Sequence, residues 1–176
     1  MLQKLETALD GVLGKKSSIK LPDDVRKSLS KAMWIIALVV GILQLWSAWQ
    51  LWDWGRKVNE AVDYFNSFSS YYGGNTTEGL GLFFWTSLVV MAVVAVMILL
   101  ATPHLKAMKK NGWNLLFYAV LLEALVAVLR IFSNVGGGMD DFLMAAIGAA
   151  IGAYVLFQTR DYFSGASASS APAAKK

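Results

Sequence analysis

Cysteine is absent from this 176-residue chain. That excludes disulfides, thiol redox chemistry, iron–sulfur clusters and thiolate zinc sites. The single histidine, His104, cannot supply the two axial ligands of a bis-histidine membrane haem. No phosphate-binding loop, catalytic triad or metal-ligand cluster is present in the sequence. Neither an enzymatic role nor a cofactor is therefore expected. Charge is scarce as well, at 16% of residues, where a soluble domain carries about a quarter. Disorder needs low hydrophobicity and high net charge, and this chain is 56% hydrophobic with a mean hydropathy of +0.50.

What the sequence has in abundance is long apolar runs. Crossing roughly 30 Å of hydrocarbon takes about 20 mostly apolar residues at helical rise. Four segments are predicted to span: 33–54, 81–101, 113–132 and 139–157. The last is the shortest in apolar terms, because Asp140 and Asp141 confine its apolar part to Phe142–Phe157. The predicted fold is an all-α integral membrane protein, an up-and-down bundle of four transmembrane helices with short connections. The first run begins near Met33, is too long for the core of a signal peptide and lacks a small-residue cleavage site, so it is expected to be a retained span.

Basic residues orient the spans. Lys4, Lys15, Lys16, Lys20, Arg26, Lys27 and Lys31 precede the first, Lys106, Lys109 and Lys110 lie between the second and third, and Arg160, Lys175 and Lys176 follow the fourth. The intervening segments carry the acids Glu60, Asp63, Glu78, Asp140 and Asp141, with Arg56 and Lys57 the bases among them. The positive-inside rule then places both termini in the cytoplasm, as in the cytoplasmic membrane of a prokaryote. The net charge of +4 and pI near 9.3 are read as topology and not as a nucleic-acid footprint. The lipid bilayer is the expected partner.

Residues 1–32 form a cytoplasmic amphipathic segment. Leu2, Leu5, Leu9, Val12 and Leu13 approach helical spacing, which suits either an interfacial anchor or a solvated pre-helix. A second helix start is read at Leu21, Pro22, Asp23 and Asp24, with acids at the positive dipole end. Beyond Trp54 the spacing of Val58, Ala61, Val62, Phe65 and Phe68 carries the first helix three or four turns past the bilayer. It should stop near Tyr71, Tyr72, Gly73 and Gly74. Tyr64, Phe65, Phe68, Tyr71 and Tyr72, with Trp46, Trp49, Trp52, Trp54 and Trp85, read as an outer aromatic belt. Asn75, Thr76 and Thr77 match the N-glycosylation pattern, a motif common by chance. His104 and the adjacent lysines read as a topogenic loop or a contact for acidic headgroups. Trp113 is expected to be an anchor at the inner interface. Residues 158–176 are treated as a flexible cytoplasmic tail, small-residue and low in complexity from Ser164 onward.

Four intramembrane polar residues are candidates for function: Glu123, Arg130, Gln44 and Asp53. Glu123 lies at the midpoint of the third span, where a charge costs roughly 2.5–3.5 kcal/mol on insertion scales, so it should face the protein interior, be protonated or line water. Gln44 lies near the midpoint of the first span on a face with Ala37, Gly41 and Ala48. Small residues let helices approach there and an amide can bond across the gap, so a Gln44–Glu123 hydrogen bond is predicted. Arg130 points to the same face as Glu123, but nearly two turns away, and Asp53 or Asp140 and Asp141 are its expected partners. Gly148 and Gly152 make the motif GAAIG, a small-xxx-small face that packs either within the bundle or against another subunit.

Two functional readings follow. The first is a non-enzymatic helix-packing protein, an accessory subunit or self-associating membrane component with a homo-oligomer or a membrane-protein partner. The second is a small transporter or ion or proton channel that uses Glu123 and Arg130.

Overall fold

The computed structural model describes residues 2–15, 20–131 and 139–163. Their regular elements are all helical: α1 (Leu2–Leu9), a short π-helical segment (Asp10–Lys15), α2 (Asp23–Tyr71), α3 (Leu82–Lys106), α4 (Lys110–Ile131) and α5 (Met139–Phe163). Among the described residues, α2, α3 and α4 are long and apolar enough to cross a membrane. The expected triple-glycine turn at 136–138 and the low-complexity stretch 164–176 lie outside the described residues.

The apolar surface faces outward. Ile35, Val39, Ile42, Leu43, Val89, Val93, Val96 and Leu100 are all exposed along the middle of α2 and α3. An exposed apolar band of this extent would drive association in water and marks a surface covered by lipid or protein.

The predicted first span is the middle of one continuous helix. α2 has 49 residues, about 74 Å at 1.5 Å per residue, more than twice a bilayer's hydrocarbon thickness. It begins immediately after Pro22, whose extended ψ of 145° sets the entry. It ends where the two tyrosines and two glycines predict. Gly73 takes a positive φ of 71°, the left-handed conformation that glycine adopts without a Cβ clash. Gly74 N–H then donates to Ser69 O at 2.7 Å.

α2 and α3 pack antiparallel through small residues. Ala37, Gly41, Ala48 and Gly55 are the buried positions along the middle of α2, and they set the register. A Cβ added to Gly41 would sit 2.8 Å from Leu99 Cδ2, and one on Gly55 2.5 Å from Phe84 Cε1. α3 turns into α4 within a few residues, with Met108 at φ 52°. Lys109 N–H and Met108 N–H donate to His104 O and Leu105 O, each at 2.9 Å. Gly112 closes that corner, because a Cβ there would meet Leu105 N at 2.7 Å.

α5 closes the ring of helices at this end, here called the Trp113 end. Trp113 is 0% exposed, stacks on Phe117 and meets Phe157 edge-on. Its indole Nε1 donates to Leu156 O at 2.8 Å. The expectation of an interfacial anchor is thus corrected: the ring is core, because α5 covers it and offers a carbonyl to the polar edge. On the other side of α5, Arg26 of α2 donates from Nε to Gln158 O at 2.7 Å and pairs with Asp161 at 3.2 Å.

The N-terminal segment folds onto the same end. Leu9 and Leu13 pack against the core cluster. Arg160 pairs with Glu6 at 2.6 Å and Asp10 at 2.8 Å, and Gln158 Nε2 donates to Leu13 O at 2.9 Å. The segment therefore docks on the protein's own helix rather than standing off as a solvated pre-helix. The boundary expected at Phe157 is also passed. α5 continues to Phe163, with Gln158, Thr159 and Phe163 buried, because the residues read as tail form the seat for the N-terminal segment.

The opposite, Trp54 end is more open. Residues 72–81 fold back along α2, held by asparagine side chains that act as backbone surrogates. Asn66 accepts from Thr77 N–H at 2.7 Å and donates to Thr77 O at 2.8 Å. Asn59 accepts from Leu80 N–H at 2.8 Å.

Candidate functional site

The register of the helices brings polar residues from distant parts of the chain to one depth. With Gly41 against Leu99 and Gly55 against Phe84, Gln44 lies level with the middle of α3. With Gly112 against Leu105 and Trp113 against Phe157, Glu123 lies at that same level on α4. Gly148 falls there on α5. Gln44 Nε2 donates to Glu123 Oε1 at 2.6 Å, the hydrogen bond predicted from the sequence.

The pair lines a cavity of about 290 Å³ bounded by α2, α3, α4 and α5, with Ser87, Met91, Ala127 and Gly148 among its walls. Its chemistry is simple. One carboxylate, one amide and one hydroxyl face an otherwise apolar lining. Such a site can orient a hydrogen-bonding group.

Glu123 is not buried. It and Gly148 are both exposed, so the cavity opens to the surroundings. The described hydrogen bonds between α2 and α5, from Arg26 to Gln158 O and Asp161 and from Tyr162 to Asp23 O, all lie at the Trp113 end. Farther along, the polar pair is in view.

The remaining candidates divide. Asp53 pairs with Lys57 at 2.6 Å and Arg56 at 3.4 Å on its own helix. Bases three and four residues away on one helix face lie within its reach. The side chains of Arg130, Asp140 and Asp141 lie outside the described residues. Gly148 and Gly152 are exposed, and a Cβ on either would meet nothing within 4 Å. Neither glycine is in close contact with another described residue of the bundle.

Sequence reasoning did not find the cluster of Arg160, Glu6, Asp10 and Trp113, in which the Arg160 guanidinium also lies 5.6 Å from the Trp113 ring centre. One signal was present. Glu6 and Asp10 are four residues apart and alternate with Leu9 and Leu13, so acids and apolar groups share one helical stripe. That pattern suits a protein surface bearing a base better than a lipid headgroup layer.

The sequence matches no protein-family model, no curated protein and no solved structure.

Proposed function

We propose that this chain is a four-span membrane protein with both termini cytoplasmic, α5 being the fourth span, and that it works by binding another transmembrane helix. The membrane would be the cytoplasmic membrane of a prokaryote. The basic residues at the Trp113 end support this orientation. The chain is then a non-enzymatic accessory subunit or a self-associating component.

One observation carries this reading: the GAAIG face is open beside an exposed intramembrane carboxylate. A glutamate left to lipid costs roughly 2.5–3.5 kcal/mol. A helix laid along Gly148 and Gly152 would cover Glu123 and Gln44 and gain close backbone packing in the same step. The polar pair then gives that helix its register.

The absence of cysteine makes the test direct. A single cysteine at Gly148 or Gly152, placed in the native membrane and treated with a short bifunctional thiol or thiol–amine crosslinker, should give one defined adduct with a second copy or a partner. Replacing Gly148 and Gly152 with isoleucine should abolish that association while the folded monomer persists. A strictly monomeric protein in mild native mass spectrometry, with no adduct at either site, would refute the reading.

A second reading, a small transporter or channel, draws on the mid-depth cavity with Glu123 in its wall. Here Glu123→Gln should remove pH-dependent flux in proteoliposomes and leave assembly intact. Unchanged flux in that variant sinks it.

A further inference from the structure

The Trp113 end sorts its charges by type. Both arginines there are engaged by acids: Arg160 by Glu6 and Asp10, and Arg26 by Asp161 and Asp23. The lysines are left over. Lys27, Lys31, Lys106 and Lys109 are exposed, and none forms an ion pair among the described residues. Asp24, also exposed, precedes them at the N-terminus of α2, where the helix dipole favours an acid.

These lysines are not scattered. Lys27, Lys31 and Trp34 follow at i, i+4 and i+7 on one stripe of α2. Lys106 of α3 places its ammonium 5.2 Å from the centre of the Trp34 ring. The α2–α3 register, carried from Gly41 and Leu99 toward this end, brings Lys31 level with Met108 and Lys109. One half-buried indole is thus bordered by an α3 ammonium and preceded on its own helix by two exposed lysines. A tryptophan body with a polar edge prefers the headgroup layer. Beyond Trp34, away from the lysines, α3 covers the stripe at Gly41, and the side of α2 next to it is apolar and open, with Ile35, Ile42 and Leu45 exposed. The surface therefore offers positive charge at one level and hydrocarbon immediately next to it.

We infer that this patch binds the phosphate of an anionic phospholipid, with one acyl chain lying along the exposed apolar side of α2 beyond Trp34. The inference rests on membrane insertion and is independent of whether α5 binds another helix. A free phosphate would meet the same lysines, but the exposed apolar side of α2 matches the lipid. The arginines cannot substitute, because their guanidinium forks are already engaged by carboxylates.

The test uses the full chain in mild detergent with defined amounts of phosphatidylglycerol or phosphatidylcholine, and reads retained lipid by native mass spectrometry. Wild-type protein should retain phosphatidylglycerol in preference to phosphatidylcholine. Each nearby base contributes about fivefold to such binding, so Lys31→Gln with Lys106→Gln should weaken it by roughly 25-fold. The control pair Lys4→Gln with Lys20→Gln removes the same charge from exposed lysines outside the patch and should leave retention near wild type. Lys31→Arg with Lys106→Arg should restore it, and that rescue separates lost binding from lost folding. Millimolar inorganic phosphate should not displace the lipid. Equal retention of the two lipids, equal loss in the control pair, or displacement by inorganic phosphate would each overturn the inference.

Discussion

The two ends of the bundle both carry charges and aromatic rings but use them in opposite ways. At the Trp113 end, charges join residues far apart in sequence: Arg160 reaches Glu6 and Asp10, and Arg26 reaches Asp161. At the Trp54 end every described ion pair is local. Asp53 meets Arg56 and Lys57, and Arg56 meets Glu60, all within one turn of α2. The rings divide likewise. Trp113, Phe117, Phe157 and Phe163 are buried, whereas Tyr64, Phe65, Phe68, Tyr71 and Tyr72 are exposed. Burial of α3 follows the same gradient, with Val94, Ala95, Ile98, Ala101 and Leu105 all toward its Trp113 end. Long-range pairing confers stability because breaking it strands groups that the fold has removed from solvent. Local pairing on an exposed helix confers little.

The sharpest way to break this contrast is Trp113→Ala. It removes a fully buried ring and the hydrogen bond to Leu156 O, and should cost about 4 kcal/mol, read as a fall in thermal or denaturant midpoint in detergent. The equivalent change at the other end, Trp49→Ala, removes a ring that is 62% exposed. It should shift the midpoint far less.

Arg160→Met comes next. The guanidinium is 23% exposed and its partners Glu6 and Asp10 are 15% and 11% exposed. Leaving two partly buried carboxylates without their base should cost about 2–3 kcal/mol, below the 3–5 of a fully buried pair. Hydrogen exchange should then show residues 2–15 opening while α3 stays protected. If the whole bundle loosens together, the clasp is integral to the core rather than an added layer.

Smaller still is Asn66→Ala, which releases both backbone groups of Thr77. It should cost about 1 kcal/mol and expose residues 72–81 to limited proteolysis. Lys57→Gln marks the floor. Its partner Asp53 keeps Arg56, and the Lys57 side chain is 66% exposed, so no resolvable change in the midpoint is expected. A resolvable loss would show that the Trp54 end depends on its charges after all.

Much of α2 was legible in one dimension. Its far end at Tyr72 and Gly73 follows from a local backbone preference, and the stripe of Ala37, Gly41 and Ala48 follows from helical period alone. The Gln44–Glu123 bond was legible for a related reason. A central polar residue in an apolar span needs a partner at its own depth, and spans that cross the same apolar layer bring their midpoints level. Trp113 misled because a tryptophan beside lysines at a helix start looks the same whether lipid or protein covers it. Arg160 misled because six helical residues of α5 beyond Phe157 merge into a tail of alanine and serine, and the acids that hold the arginine are some 150 residues away.

The sequence by itself determined that the chain is helical, that three of its segments are long and apolar enough to span, and where α2 ends. These depend on composition, period and local conformation, all of which are read within a few turns. Only the tertiary structure decided which faces of those helices are covered. It placed Glu123 and Gly148 in an open cavity, joined the first residues to the last turn of α5, and left the lysines around Trp34 without acids. Those outcomes turn on register between helices. Register is set by the close approach of Gly41, Gly55 and Gly112 to side chains and backbone on neighbouring helices, and no single helix contains that information.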